Sequence, residues 1–180
     1  AMSIIPFAIA WYLATHPNGL KLGTNHGELI TPVITTDAPQ FKGHGQFSAQ
    51  NIEELRGHWV LDNVLNQAQC TELCRDALYK THQIGLMMGK DIARIRRMAM
   101  LPLAVQAIVL PAEWEQDARL LKIDPDPAIV EKLKQIGAYQ EGSLLIMDPL
   151  GNLMMRYAAG YDPYQVRNDL SKLLKISQIG

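Results

Sequence analysis

With 180 residues, 48% of them apolar, the chain can bury one sizeable core and has length left for an arm. A net charge of −1 offers no basic excess for a nucleic-acid partner. Internal repeats and polar low-complexity tracts are absent. Ser3 to Ala14 is almost wholly apolar and carries Trp11 and Tyr12 near its end. A bilayer span needs about 20 such residues, and aromatic side chains favour the membrane–water interface. Ala1-Met2 reads as a scar in place of removed sequence. Residues 1–15 are therefore expected to be the outer end of a truncated membrane anchor. A helix packed on the domain is the plainer reading.

Residues 16–50 read as an extended arm. Pro17, Pro32, Pro39, Gly43 and Gly45 keep it from being a helix. Val33–Thr36 is a candidate short strand, and Gln46–Ser48 a second. Ser48 to Gly57 has the pattern of a helical turn, capped by Ser48 or Asn51 and closed by Gly57. Residues 51–180 are the expected globular domain. Trp59 to Leu65, rich in Val and Leu, reads as a central strand covered on both faces. A helix follows from Arg75 to Met88, with Leu73, Ala77, Leu78, Ile84, Leu86 and Met87 recurring at helical spacing. Ile92 to Leu101 is a second strand, and Leu103–Leu110 fits strand or helix. Pro111–Asp117 and Asp126–Gly137 open short helices, the acids lying near the positive ends. Ser143–Met147 and Leu153–Tyr157 flank the turn Asp148-Pro149-Leu150-Gly151-Asn152 as a hairpin. Asp162-Pro163 caps a last amphipathic helix. Strands alternating with helices give an α/β domain, a central mixed sheet flanked by helices and preceded by the extended arm; the cysteine pair Cys70 and Cys74 after the first core strand, the late hairpin and the terminal helix make a thioredoxin-like fold the best match.

The chain has two cysteines, Cys70 and Cys74, at the junction of the first core strand and its helix. Unpaired N–H groups and the macrodipole at a helix start favour a thiolate at Cys70. Cys74, one turn on, shares its face. Two sulfurs so placed can close a disulfide, exchange thiols, or clasp a soft ion such as Cu(I). They can also be inert, since a disulfide closing so short a loop stabilises little. Seven methionines at positions 87, 88, 98, 100, 147, 154 and 155 fit core packing better than metal binding. Arg94, Arg96 and Arg97 read as a solvated strand end. No dinucleotide fingerprint, P-loop, catalytic triad order or zinc-protease motif occurs.

Residues 59–74, the turn at 148–152 and the helix start at Asp162-Pro163 resemble the Sco family of cytochrome c oxidase assembly proteins. Asn25–Ile30 and Ala77–Tyr79 resemble a divergent bacterial branch of Sco-like membrane proteins, and the resemblance spans roughly residues 24–175. It implies a domain anchored in the inner membrane and facing the periplasm. The implied role is support of oxidase biogenesis, with Cys70 attacking and Cys74 resolving in thiol–disulfide exchange. The partner would be a respiratory oxidase subunit or a copper or thiol carrier. Copper is the cofactor the resemblance implies, with Cys70 and Cys74 as ligands. Two departures weigh against it. Arg75 stands where the family has proline, and the loop Gly137–Ser143 lacks the histidine that serves there as third ligand. His58 and His82 lie elsewhere in the domain and His16, His26 and His44 in the arm, where His26, next to Gly27, is the candidate if the arm folds back over the thiols. A Cu(I) chaperone with an unidentified third ligand and a non-catalytic assembly scaffold remain as alternatives.

Overall fold

The computed structural model describes residues 27–101 and 110–177. The anchor segment, the first part of the arm, His16, His26 and most of 103–110 lie outside them. Seven strands form one sheet in the order β1-β7-β6-β3-β4-β5-β2. They are β1 Glu28–Thr35, β2 Phe41–Gly43, β3 Trp59–Val64, β4 Ile95–Met100, β5 Leu120–Pro125, β6 Leu144–Met147 and β7 Asn152–Tyr157. The helices are α1 Gly45–Gln50, α2 Glu72–Met87, α3 Ala112–Glu115, α4 Pro127–Gln135 and α5 Pro163–Ile176. β3, β4 and β5 run parallel, and the other pairings are antiparallel. The expected mixed α/β sheet is therefore present, with strands from the arm on both of its edges.

Alternation along β3 divides the core. Val60 and Val64 face a cluster with Met98, Met100, Ile129 and Leu133, which α4 covers. Trp59 and Leu61 face the other way, toward Ile84, Val166, Leu170 and Leu174 of α2 and α5. A third cluster of Leu65, Cys74, Leu78, Trp114 and Leu120 lies around the cysteine turn. Met98, Met100 and Met147 are buried, as packing requires. Two polar residues of β3 interrupt the apolar run. Asn63 is satisfied, donating to the Met98 carbonyl at 3.0 Å and accepting from the Thr81 hydroxyl at 3.2 Å. Asp62, fully buried, has no partner for either carboxylate oxygen among the described residues.

Several local expectations change. Gln46–Ser48 is not a strand but lies in α1, entered through Gly45 at φ +82°. The strand is Phe41–Gly43, and Gly43 is required there because a Cβ would sit 2.3 Å from the Ser48 backbone. Ser48 caps nothing; its hydroxyl accepts from the Lys122 N–H at 2.9 Å, tying α1 to β5. β5 itself falls where no element was expected. Leu73 and Leu86 do not pack inward, being 47% and 59% exposed. α2 buries Cys74, Ala77, Leu78, Thr81, Ile84 and Gly85 instead. Nor is the arginine cluster solvated throughout. Arg96 pairs with Glu54, but Arg97 is buried, 3.0 Å from Asp117 and near the Trp114 ring.

Register fixes which end of the sheet carries the cysteines. The C-terminal end of β3 meets the start of β6, with Gly142 N–H bonding the Val64 carbonyl at 2.9 Å. Leu144 pairs with Tyr157, and Arg156 with Glu28. β1 therefore begins at the end of the sheet where β3 runs into the cysteine turn. Among the described residues no helix is long and apolar enough to cross a membrane.

Candidate functional site

Thr71 ends the turn after β3 and begins α2. Its backbone is extended and its hydroxyl oxygen accepts from the Cys74 N–H at 3.2 Å, satisfying one of the orphan donors of the helix start. Cys70 thus lies immediately before the N-cap and Cys74 in the first turn. They are joined as a disulfide with a Cα–Cα distance of 5.2 Å. The two sulfurs differ in setting. Cys74 is fully buried among Leu65, Leu78, Ala99 and Trp114. Cys70 is only partly buried, beside exposed Gln67, Ala68, Gln69 and Thr71. An incoming thiolate can reach only the Cys70 side of the bond without opening the core. Attack there expels Cys74, which lies in the first turn of α2, where the positive end of the helix lowers the cost of the leaving thiolate.

The loop before β6 closes over this turn. Glu141 Oε1 accepts from the Asn66 N–H at 3.0 Å, and Oε2 accepts from the Thr71 hydroxyl at 3.2 Å. Burial pushes the Glu141 carboxyl above its usual range, against the lowering effect of those two donors. Gly142, at φ +79°, brings the loop so near α2 that a Cβ would sit 2.9 Å from the Leu73 carbonyl oxygen. Glu141 and Thr71 escaped the sequence reading. A contact between positions 71 and 141 leaves no periodic trace in the sequence.

The remaining candidates among the described residues do not converge on the sulfurs. His82 lies edge-on to Trp114 at 5.9 Å, and His44 pairs with Asp124 at 3.1 Å. His58 bonds the Glu54 carbonyl at 2.9 Å at the far end of β3. Among the described residues no three His, Cys, Asp or Glu side chains are grouped so as to hold a metal ion. Two cysteine sulfurs are soft donors suited to Cu(I) once reduced. The described residues supply no third ligand, so the fit to copper is incomplete.

A family model described as transmembrane-like, thioredoxin-like, C-terminal domain matches residues 59–177. No curated protein matches the chain. Among solved structures, BsSco, a member of the Sco family of cytochrome c oxidase assembly proteins described for its disulfide switch, is 13% identical. That match covers 86% of this chain and 96% of BsSco at a TM-score of 0.50. Copper-bound ScoI from Bradyrhizobium japonicum is 17% identical, over 67% of this chain and 87% of its own, at a TM-score of 0.43. Copper-bound ScoI from Arabidopsis thaliana is 12% identical, over 69% and 89%, at 0.48. At such identities the likeness is one of fold.

Proposed function

The chain belongs to the transmembrane-like, thioredoxin-like C-terminal domain family, and from that premise we propose that it is a membrane-tethered thiol–disulfide exchange protein serving cytochrome c oxidase biogenesis. The observation that carries the chemistry is the unequal burial of the two bonded sulfurs, Cys70 reachable and Cys74 enclosed. A thiolate of the target attacks Cys70 Sγ, and Cys74 leaves as thiolate and takes up a proton. The target's second thiol, deprotonated, then attacks its own sulfur in the mixed disulfide and releases Cys70. The target loses two electrons and two protons, and the cysteine pair gains them. Run backward, the same steps reduce a target disulfide. The apolar stretch 3–14 and the family description support a tether; in this reading the domain faces the periplasm. The target is an oxidase subunit or a carrier of thiols or copper.

A trapping experiment tests this reading. The Cys74→Ser variant should accumulate a mixed disulfide through Cys70 with a thiol substrate, and the Cys70→Ser variant should accumulate none. Equal trapping by both, or by neither, would overturn the assignment of roles. Full support of oxidase biogenesis by the double serine variant would favour the scaffold instead. Titration of the reduced protein with Cu(I) separates the chaperone reading: one-to-one binding lost in Cys70→Ser supports it, and absence of binding removes it.

A further inference from the structure

Among the described residues Glu141 is the one acidic side chain that ties the loop before β6 to the cysteine turn. We propose that it is the positioning residue of the dithiol, fixing the turn from Asn66 to Thr71 and biasing the pair toward the disulfide. The inference rests on the exchange reading above and concerns the same site. Its two oxygens accept from two donors on either side of the exposed stretch 67–69, the Asn66 N–H and the Thr71 hydroxyl. An ionised carboxylate accepts at both oxygens in this way. Because the Thr71 oxygen also receives the Cys74 N–H, a continuous line of bonds runs from the carboxylate to the amide of the enclosed cysteine. The line has little freedom. Gly142 is held by the Val64 carbonyl and seated against Leu73, so the loop cannot withdraw the carboxylate without losing both contacts.

The electrostatic consequence follows from the two redox states. The disulfide is neutral, so a carboxylate beside the turn leaves it undisturbed. Reduction yields two thiols, and the one at Cys70, next to the residue whose hydroxyl Glu141 holds, must lose its proton before it attacks. Two anions so close repel, so the carboxylate works against the pull of the helix N-terminus. Glu141 thereby raises the cost of the thiolate and makes the dithiol the stronger reductant. Neutral glutamine at 141 keeps the shape and the acceptor for Asn66 but removes the charge.

Equilibration with reduced and oxidised glutathione tests the inference, with the thiolate absorbance followed against pH. In Glu141→Gln the equilibrium should shift about tenfold toward the dithiol, about 30 mV for a two-electron couple, and the Cys70 thiolate should form at lower pH. Glu141→Ala should shift the same way and also melt earlier. A Gln variant with wild-type equilibrium and thiolate titration overturns the positioning role while leaving exchange intact. A wild-type pair that never equilibrates with glutathione or another dithiol overturns the exchange reading, and this inference with it.

Discussion

Replacing Asp62 by Asn removes an ionisation that the core of this protein opposes. Asp62 is fully buried in β3 between Val60 and Val64, with Met98 and Leu145 as its cross-strand neighbours. Both oxygens lack partners among the described residues, and burial holds the carboxyl well above its usual range. The folded protein therefore keeps the proton over a pH range in which the unfolded chain has released it, starting near the unfolded value of about 3.9. In that window the unfolded state binds fewer protons, so stability falls as pH rises, by about 1.4 kcal/mol per unit. Below the unfolded pKa the penalty is absent. Asparagine has the same shape and the same unmet polar groups but no proton to lose. Denaturant unfolding of both proteins from pH 4.5 upward should show Asp62→Asn gaining on wild type as pH rises, by at most about 1.4 kcal/mol per unit. Against a total of about 5–15 kcal/mol this is readily measured. A difference that does not change with pH would refute the reasoning, because other groups titrate alike in both proteins and cancel.

Other consequences can be checked on the purified domain. Gly142→Ala should cost about 1–3 kcal/mol in thermal or denaturant unfolding, because it places a side chain at φ +79° against the Leu73 carbonyl. Asp117→Asn should destabilise by about 3 kcal/mol, since the Arg97 side chain is 7% exposed and loses its carboxylate. Burial opposes ionisation of Asp117, but the Arg119 N–H and the Arg97 guanidinium outweigh it and hold its carboxyl below the usual range. That pair should therefore weaken only in acid, and a wild-type stability insensitive to Asp117→Asn at neutral pH would contradict it. Thr71→Val, which removes the N-cap acceptor, should cost about 1 kcal/mol and loosen the cysteine turn. Hydrogen exchange at the Cys74 amide reads this directly, and unchanged protection would count against the cap.

What the sequence disclosed follows from the range of each signal. The cysteine turn was legible because a Val- and Leu-rich strand, the two cysteines and a helical period lie within thirty residues of one another. The hairpin and α5 were legible for the same reason, through Asp148-Pro149 to Gly151 and Asp162-Pro163. β5 was not, because Lys122 and Asp124 break the apolar run of a six-residue strand and only its pairing with β4 reveals it. Arg97 was misread because a guanidinium suggests solvent. Its burial depends on Asp117 and Trp114, residues 17 to 20 positions away that reach it only in the fold. Asp62 was passed over inside an apolar segment. Glu141 was hidden because the loop's interest lay in a missing histidine, whereas its content is an acid bonded to residues 66 and 71.

The direction of β1 bears on how the domain meets a surface. Its first residue, Glu28, pairs with Arg156 at the end of the sheet where β3 runs into the cysteine turn. The chain therefore enters the fold on the disulfide's side and not from the opposite pole. With the proposed anchor in residues 3–14, the dozen residues from 15 to 26 reach at most about 40 Å. Such an anchor would keep the disulfide within a limited layer above the lipid. A target cysteine held close to the bilayer surface falls inside that layer, while one carried on a tall projecting domain does not. Lengthening the arm, with no change in the site, would move that ceiling outward.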